Sequence, residues 1–428
     1  MTDSSPTAVQ AWLARAATRA PLPQEADVVI IGGGIAGTAL AYYLAREGVE
    51  VLLLERGEIN REASGTNAGS FHLQLAIHQL SGSGTDADRD RLLADARLSV
   101  EALDLWRGLG DELRGPVDVH LTGGWMVAET PAQVAVLREK HQLEAIAGIE
   151  TEVVEGSQLR ERAPFLSDRV VAAAYCPVEG HANPLVVAPL FALRAAEAGA
   201  QLRTQVEVVG IDVEPAGAAR FTVRTVAGAV RAARVVDCGG AWADEVARMV
   251  GLRLPMRHEG LHVNVTEPRP RLLTPMVQHI GRRLTLKQTA QHTFIIGGGW
   301  PTPETPRPRR YPTSWQSAAG NTAVALDVVP ALADVRVVRT WSGVIVFTDD
   351  FSPVVGESER VPGFHVCVSS TGFTFGPMFA RQVAEQLVAP SAASPFPARY
   401  AVDRLMQAAA ASAPRERMSE SAPPRSTL

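Results

Sequence analysis

Hydrophobic residues in the first sixty positions fall into two short runs and one longer segment with helical spacing. Residues 27–31 form an apolar run rich in β-branched side chains, which is typical of a buried parallel strand. Residues 36–46 are predicted to form a helix, and the chain then breaks at Gly48. The apolar run 51–54 predicts a second buried strand. The pattern therefore predicts a strand, a helix and a strand, which is the plan of a βαβ unit.

A glycine pattern joins the first strand to the helix. Gly32, Gly34 and Gly37 match G-x-G-x-x-G, a pattern that allows a tight turn, close approach to a diphosphate, and close helix–strand packing. The positive N-terminal end of the helix would point at that phosphate. Glu55 ends the second strand, 18 residues after Gly37, where its carboxylate could accept hydrogen bonds from a ribose diol. Together these features predict a dinucleotide site rather than a chance glycine turn.

Helices and strands are predicted in alternation up to residue 250. The predicted elements are helices at 88–109, 131–147, 184–198 and 241–250, a hairpin at 120–129, and strands at 202–213 and 221–236. After the last of these strands, the chain runs through Cys238, Gly239 and Gly240 into a helix. This second strand–glycine–helix junction suits another cofactor contact.

The pattern changes after residue 253. Residues 254–300 predict the short strands of an antiparallel sheet, and the proline-rich segment 301–312 predicts a surface loop. A helix is predicted at 313–332, capped by Thr313 or Ser314.

The C-terminal part predicts a strand pair and one more helix. The strands are expected at 337–347 and 364–369. The helix is expected to begin at Pro377, because proline suits the first helical position, and to end near residue 388. Residues beyond about 408 are rich in Ala, Ser, Pro and charge, a composition typical of disorder.

Composition excludes several classes of function. The formal net charge of −5 over 428 residues gives no sign of nucleic-acid binding. Cys176, Cys238 and Cys367 are widely spaced and are interpreted as buried free thiols, not as a disulfide framework or a metal site. No segment reaches the roughly 18–20 apolar residues that would span a bilayer. Residues 1–25, an N-terminal extension, lack the apolar block of a secretory signal, so we expect a cytoplasmic protein.

Four stretches resemble the FAD-dependent amine and amino-acid oxidoreductases, the group of D-amino-acid oxidase, glycine oxidase and the sarcosine oxidase β subunit. They are VVIIGGGIAG with Glu55, ARVVDCGGAWADEVARMVG, RTWSGVIVFTDDFSPVVGE and GFHVCVSSTGFTFGP. The resemblance implies an α/β fold, in which a Rossmann-like FAD-binding domain of the GR2 type carries an inserted, mixed and largely antiparallel substrate domain. We expect the FAD-binding domain at 26–80, 150–252 and 337–390, the substrate domain at 81–149 and 253–336, and a C-terminal tail at 391–428.

The resemblance also implies which residues contact FAD. They lie in the glycine pattern, at the end of the second strand, in the segment after residue 63, at the second glycine junction and near the last helix. The residues are Gly32, Gly34, Ile35, Ala36, Gly37, Glu55, Arg56, Ser64, Asn67, Ala68, Gly69, Ser70, Val208, Cys238, Gly239, Trp242, Gly343, Thr371, Gly372, Phe373, Thr374 and Phe375. The last helix would aim its positive end at the pyrimidine edge of the flavin.

Within the family, two stretches are similar to opine oxidase B subunits. They are ASGTNAGSFHLQ and PVEGHANPLVVAPLFALRAAEAGA. Opine oxidases cleave the secondary amine that joins an amino acid to a keto-acid carbon. The resemblance therefore implies an opine-like, N-substituted amino acid as substrate, and electron-accepting subunits as partners.

One position departs from the family pattern. In glycine oxidase and D-amino-acid oxidase relatives, the strand after the Trp-x-Gly turn carries an arginine that grips the substrate carboxylate, and here that position is Ile345. We expect Ile345 to face the substrate, with His258 and Lys287 as further candidate contacts. Arg257, Arg282 and Arg283 are additional candidates for the carboxylate grip, although each is more often a solvated charge. A metal pair formed by His258 and His262 is disfavoured.

The expected chemistry is hydride transfer from the carbon next to a neutral amine, after which the imine hydrolyses. A base could remove the amine proton, and His72 is the first candidate because it follows the segment expected near the flavin ring. His181, beside Glu179, is the second candidate. A structural role for either histidine is the alternative interpretation.

Other functions remain open from the sequence. One is a single-chain oxidase of an N-methyl or cyclic amino acid that produces hydrogen peroxide, and another is an FAD-binding subunit active only in a hetero-oligomer. A nicotinamide-dependent dehydrogenase is a further alternative. Arg56 could suggest a ribose phosphate, but the acid at Glu55 disfavours that extra phosphate.

Overall fold

The computed structural model describes residues 9, 12, 21–75, 85–214, 220–305, 309–389 and 394–405. The disorder predicted beyond residue 408 lies outside the described residues, as does most of the predicted N-terminal extension. Within that extension Val9 is buried, and Trp12 packs against the same hydrophobic cluster.

The first sheet is built around the predicted βαβ unit. It contains β1 (Glu25–Ile31), β2 (Val51–Leu54), β8 (Gln201–Arg203), β9 (Val208–Val213), β10 (Phe221–Thr225), β11 (Gly228–Asp237), β18 (Val354–Glu357) and β19 (Phe364–Val368). Strand β1 lies between β2 and β11 and is parallel to both, and β8 and β19 extend the parallel part on either side. The antiparallel strands β9, β10 and β18 complete this sheet.

The second sheet is largely antiparallel. It contains β4 (Gly124–Ala128), β5 (Glu152–Glu155), β6 (Ala172–Cys176), β12 (Met256–Pro268), β13 (Met276–His279), β14 (Thr285–Gln288), β15 (Thr293–Gly297), β16 (Pro301–Thr302) and β17 (Val337–Thr348). Its order is β16-β12-β15-β14-β13-β4-β6-β5, and β17 pairs with β12. Strands β13 and β4 are parallel. A short pair formed by β3 (Ser70–Phe71) and β7 (Gly180–His181) lies apart from both sheets.

Helices pack on both faces of the first sheet and on both faces of the second. They are α1 (Ile35–Arg46), α2 (Ala63–Thr66), α3 (Asp86–Glu112), α4 (Pro131–Ala147), α5 (Gly156–Arg162), α6 (Val187–Glu197), α7 (Ala243–Met249), α8 (Trp315–Val328) and α9 (Gly372–Val388). Short 3-10 segments occur at Gly240–Trp242, Pro330–Leu332 and Ala398–Tyr400. Helix α1 is buried along nearly its whole length, because the same apolar cluster includes residues of α6 and α9.

The chain segments that supply strands to each sheet differ from the expected domain segments. Strands β5, β6 and β17 were expected with the FAD-binding segments 150–252 and 337–390, but they pair within the second sheet. The predicted hairpin at 120–129 is wrong. Only β4 forms there, and it lies between β13 and β6, because the partners of its backbone come from distant parts of the chain.

The last helix also differs from the prediction. It begins at Gly372, with Thr371 at its N-cap, and Pro377 lies inside the helix rather than at its first position. Proline there removes the bond that its backbone nitrogen would make to the carbonyl of Phe373. Pro377 is buried, so packing stabilises the longer helix. The predicted cap of α8 is confirmed at Ser314, whose hydroxyl accepts from Ser317 N–H.

Candidate functional site

The glycine bend after β1 leaves no room for side chains at two of its three glycines. Gly32 has a φ of +115°, and a Cβ there would lie 2.5 Å from the carbonyl oxygen of Cys238. A Cβ on Gly37 would overlap the carbonyl oxygen of Gly32. The first and third glycines of the pattern are therefore required by the turn and by the contact between α1 and β1.

The N-terminus of α1 opens into a crevice. Gly34 supplies no capping side chain, and the first turn of α1 carries no acidic residue. The Ile35 N–H donates to Ser64 Oγ at 2.9 Å, so the predicted contact residue Ser64 reaches the helix start. Gly32, Gly34 and Ala36 are partly exposed although β1 beside them is buried. An open helix N-terminus lined by backbone suits the diphosphate of a dinucleotide.

Glu55 lies across the glycine bend from Ser64. Its carboxylate accepts the N–H groups of Gly33 and Gly57, each at 2.7 Å. A carboxylate has about four lone-pair positions, so both oxygens keep capacity for a ribose diol. Val208 begins β9, two residues after Val206, whose N–H donates to the Glu55 carbonyl. Both predicted contacts thus lie together at the Glu55 end of the crevice.

Arg56 lies against the ring of Trp242. Its guanidinium carbon lies 4.1 Å from the ring centre of Trp242, a cation–π contact. Trp242 ends the 3-10 segment that follows the second glycine junction. The two residues therefore close one side of the crevice together.

The second glycine junction lies beside the first. The Cys238 N–H donates to the Ile31 carbonyl at 2.8 Å, and the Gly239 N–H donates to Asp237 Oδ1 at 2.9 Å. The thiol of Cys238 lies against that of Cys367, and this contact together with burial raises the pKa of Cys238. Both thiols are buried and unpaired by disulfide, as expected from the sequence.

The start of α9 meets the start of α1. A Cβ on Gly376 would lie 3.1 Å from a methyl group of Ile35. Trp106 Nε1 donates to the Thr374 carbonyl at 2.8 Å, and the Phe373 ring stacks on Phe71 with centroids 5.8 Å apart. Gly372 faces open space, and the first turn of α9 carries no acidic residue. Thr371 to Phe375 therefore border the same crevice as the glycine bend.

Residues 66–74, which we call the crossing segment, run over one face of the second sheet. Every second residue contacts a further strand. Trp341 Nε1 on β17 donates to the Thr66 carbonyl at 2.7 Å, and Ala68 Cβ lies 3.7 Å from the Cβ position of Gly297 on β15. His72 and Gln74 then reach β13 and β4.

Asn67 shapes the start of this segment. Its side-chain nitrogen donates to the carbonyls of Ala63 and Ser64, and its oxygen accepts the Gly69 N–H at 2.6 Å. Gly69 has a φ of +74°. Gly343 is also close, because a Cβ there would overlap Thr66 Oγ1. The crossing segment thus fixes the spacing between the crevice and the sheet.

Part of the sheet face under the crossing segment is apolar and half-buried. Leu261, Ile295, Trp341 and Ile345 are half-buried, and register places them on the same face. Ile345 lies opposite Glu259 on β12. This face of the second sheet forms the second wall of a cleft whose first wall is the glycine crevice.

His258 is not brought together with Ile345. Residues that alternate along β12 lie on opposite faces, and His258 lies on the face away from Ile345. Its Nε2 is 3.3 Å from Arg309 Nε and 4.0 Å from a carboxylate oxygen of Asp244. Burial lowers the pKa of His258. The structure therefore separates His258 from the other two predicted substrate residues.

Lys287 is buried between the sheet and the crossing segment. Its ammonium group donates to the Ala68 carbonyl and, at 3.2 Å, to Ser70 Oγ. Burial lowers the pKa of Lys287 to about 7. Lys287 thus supports two of the residues predicted to contact FAD, and a contact with substrate stays a prediction.

His72 is an exposed residue of the crossing segment. Its Nδ1 lies 2.8 Å from Gln278 Oε1 on β13. Burial lowers the pKa of His72 to about 4, and the Lys287 charge acts in the same direction. At neutral pH the ring is uncharged and one ring nitrogen keeps a lone pair, although the lowered pKa makes that nitrogen a weak base.

His181 is the less accessible of the two candidate bases. It pairs with Ser70 in the β3–β7 ladder, and its ring lies 5.1 Å from that of His120. Burial lowers the pKa of His181 to about 3, with the Lys287 charge as the next cause. His72 therefore lies in the crossing segment and His181 pairs with that segment, but of the two only His72 is exposed.

Sequence reasoning missed the residues behind His72. Gln278, Gln74, Lys140 and Glu144 are buried and linked by hydrogen bonds. Polar residues inside apolar runs were only a weak signal for this network. A single sequence does not show which distant residues form hydrogen bonds with one another. Arg282 and Arg283 were both predicted as candidates for the carboxylate grip. Arg282 forms ion pairs with Glu129 and Asp327, whereas Arg283 is exposed.

Two further structural results concern the described residues. Within them, no group of three or more His, Cys, Asp or Glu side chains is arranged to hold a metal ion. No described helix combines the length and apolar character needed to cross a membrane.

Comparisons with known proteins agree on one family. The family model DAO, FAD dependent oxidoreductase, matches residues 27–386. The chain is 29% identical over 374 residues to the opine oxidase B subunit of Rhizobium meliloti, covering 85% of this chain and 93% of that protein. It is 25% identical to mitochondrial dimethylglycine dehydrogenase of Mus musculus, covering 85% of this chain but only 42% of that longer protein. In fold it is similar to L-proline dehydrogenase from P. horikoshii, with a TM-score of 0.79, 24% identity, and coverage of 90% of this chain and 99% of the other.

Proposed function

The chain belongs to the family of FAD-dependent oxidoreductases, and on this premise we propose that it oxidises the C–N bond of an opine-like, N-substituted amino acid. FAD is its cofactor. Bound FAD accepts a hydride from the carbon next to an amine nitrogen. The chain's own residues must bind the amine, exclude water and take up the amine proton.

The crevice fits FAD in its chemistry. The backbone of the glycine bend and Ser64 Oγ offer donors to a diphosphate, and the Glu55 carboxylate offers acceptors to a ribose. The open start of α9 offers donors and a positive helix end. We propose that these groups hold the two ends of one FAD molecule.

The observation that carries the substrate proposal is the apolar part of the sheet face over which the crossing segment runs. With Ile345 where glycine oxidase relatives carry an arginine, that wall has no cation at the expected place. An apolar, partly open wall suits the alkyl part of the N-substituent of a secondary amine, whereas the carboxylates of the substrate need a cation elsewhere.

A carboxylate still needs a cationic partner, and the sheet offers one at its edge. Arg339 on β17 lies opposite Val265, and Val265 lies opposite Ile295, so these three positions form a row on the cleft face. Its guanidinium lies 6.0 Å from the Trp341 ring centre, and among the described residues it has no ion-pair partner. We propose Arg339 as the carboxylate grip.

Anaerobic titration of the purified, yellow protein tests the proposal. An N-(1-carboxyalkyl) amino acid is expected to abolish the flavin absorbance, and the corresponding primary amino acid is the control that should not. Arg339→Gln should raise the concentration needed for bleaching about tenfold or more. An unchanged flavin spectrum with every N-substituted amino acid would reject the proposed reaction.

The similarity to an opine oxidase B subunit supports a second proposal, that the chain passes electrons to a partner protein. Peroxide production by the isolated chain in air would instead favour a self-contained oxidase of an N-methyl or cyclic amino acid. Turnover that requires an added acceptor or a co-purified protein would favour the hetero-oligomeric role. A cytoplasmic location stays a prediction.

A further inference from the structure

Behind His72 lies a continuous chain of buried polar groups. Gln278 Nε2 lies 3.0 and 3.3 Å from the two carboxylate oxygens of Glu179. Gln74 Nε2 donates to Glu179 Oε2 at 2.8 Å, and Lys140 Nζ donates to Gln74 Oε1 at 2.9 Å. The order is therefore Lys140, Gln74, Glu179, Gln278, His72, and only the histidine is exposed.

Glu179 is an acceptor toward all of its partners. Besides the two glutamine side chains, the backbone N–H groups of Leu73 and Gln74 donate to Oε1, each at 2.9 Å. Burial raises the pKa of Glu179, while these donors and the Lys140 charge oppose that rise. A protonated oxygen would face an N–H and lose a bond, so the ionised carboxylate is the form that satisfies the network.

The ionised carboxylate decides how the Gln278 amide is turned. Only the amide nitrogen can donate, so it must face Glu179, and the amide oxygen must then face His72. That oxygen can only accept, so His72 Nδ1 carries the hydrogen. The remaining ring nitrogen, Nε2, is left as a lone-pair acceptor on the exposed side of the ring.

A network of this kind is costly to bury. Lys140, Glu144 and Glu179 are each fully buried, and Lys140 pairs with Glu144 at 2.6 Å. Buried ion pairs give little net stability compared with apolar side chains of the same size. Gly124 makes room for Glu179, because a Cβ there would overlap Glu179 Oε2. Although it gives little net stability, this buried network orients the crossing segment and His72.

We propose that Glu179, acting through the Gln278 amide, is the positioning residue that holds His72 with Nδ1 protonated and Nε2 available to the substrate amine. This inference rests on the proposed function, in which the amine must lose a proton before it donates hydride. The charged groups that face His72 are Lys287 from β14 and, behind Gln278, Glu179 itself. Gln278 is a second positioning residue.

The tautomer of His72 can be measured without turnover. In the flavin-bound full chain with ¹⁵N-labelled histidine, the His72 signals are identified by their loss in His72→Gln. We expect a protonated Nδ1 and an unprotonated Nε2 at neutral pH. In Glu179→Gln the new amide can donate to Gln278, so the Gln278 amide can turn over and the Nε2-protonated tautomer should appear.

Gln278→Glu provides the second variant. A carboxylate next to Nδ1 should raise the pKa of His72 by about one to three units. The acid limb of kcat/KM against pH should move upward by the same amount. Gln288→Glu is the matched control, because Gln288 is buried on the neighbouring β14 and bonds only to groups away from His72. It should leave the His72 signals unchanged.

The outcomes separate this inference from the proposed function. A wild-type His72 protonated at Nε2, or a tautomer and pKa unmoved by both Glu179→Gln and Gln278→Glu, overturns the positioning role even if amines bleach the flavin. The stated tautomer with no bleaching by any N-substituted amino acid supports the positioning role and overturns the function.

Discussion

The two walls of the cleft differ in what forms them: one is formed by backbone and the other by side chains. The glycine crevice is made of backbone, where Gly32 and Gly37 are required because any side chain would overlap a carbonyl oxygen. The wall behind His72 is made of side chains from several distant segments, held by buried charges such as Lys140 and Glu179. The crevice should therefore be sensitive to added atoms, and the other wall to lost or moved charges.

Gly37→Ala is expected to have the largest effect. The new Cβ would overlap the Gly32 carbonyl, and because both are backbone groups the turn itself must shift. We expect purified protein that retains little or no FAD, measured by the ratio of flavin to protein absorbance. Gly108→Ala is the control, since that glycine faces open space in α3 and should gain up to about 1 kcal/mol of helix stability. Equal FAD content in the two variants would contradict the backbone origin of the crevice.

Lys140→Met tests the opposite wall. Removing this cation leaves the Glu144 carboxylate buried without its partner, which costs about 3–5 kcal/mol of unfolding free energy. Urea unfolding measures the loss. Arg138→Met on the same helix removes an exposed pair with Glu155 and should cost less than about 1 kcal/mol. If the two variants lost the same stability, the buried charges would not hold this wall.

Glu55→Gln should affect cofactor affinity more than stability. The glutamine keeps one acceptor oxygen for two N–H groups that now donate to a carboxylate. An amide is also a weaker acceptor for the ribose than a carboxylate, and loss of one such charge-assisted bond to the ribose, about 1.5–3 kcal/mol, predicts roughly a 10- to 100-fold weaker FAD affinity. Fluorescence titration of the apoprotein with FAD measures it. An unchanged dissociation constant would remove Glu55 from the cofactor site.

The last expected effect is the dependence of stability on pH on either side of neutrality. His181 has its pKa lowered from 6.5 to about 3, and Lys287 from 10.5 to about 7. Both are more readily protonated when unfolded, so the unfolded state binds more protons and stability falls as the pH drops. As the pH falls, the stability contributed by neutral Lys287 is lost between about pH 10.5 and 7. The stability contributed by neutral His181 is lost between about pH 6.5 and 3.

Unfolding midpoints of wild type and His181→Gln across that lower range measure the histidine part. The variant should show a shallower decline below pH 6.5. The same slope in both proteins would mean that His181 is not held neutral in the folded chain.

The comparison also explains what the sequence could and could not predict. The crevice is local in sequence, since Gly32, Gly37 and Glu55 belong to one βαβ unit whose spacing carries its geometry. Ser64 and Thr371 were reached only through family resemblance, because their contact with that unit depends on the tertiary fold. The start of α9 was misplaced because packing of Pro377 outweighs its local preference.

The wall behind His72 was largely beyond prediction. His72 was named from its place after Asn67 to Ser70, but Gln278 lies 206 residues away and Glu179 more than a hundred. Hydrogen bonds between such positions follow from strand register, which a single sequence does not specify. The same holds for Lys287, whose role under Ala68 and Ser70 depends on the crossing of two segments.

A crystal structure of the FAD-loaded protein tests the central claim most directly, because it shows whether both walls face one flavin. We predict the diphosphate at the N–H groups of Gly34 and Ala36, the ring beside Thr371 to Phe375, and His72 Nε2 facing the open side of the ring. A flavin ring bound away from Thr371 to Phe375, or His72 turned out of the cleft, would contradict the account.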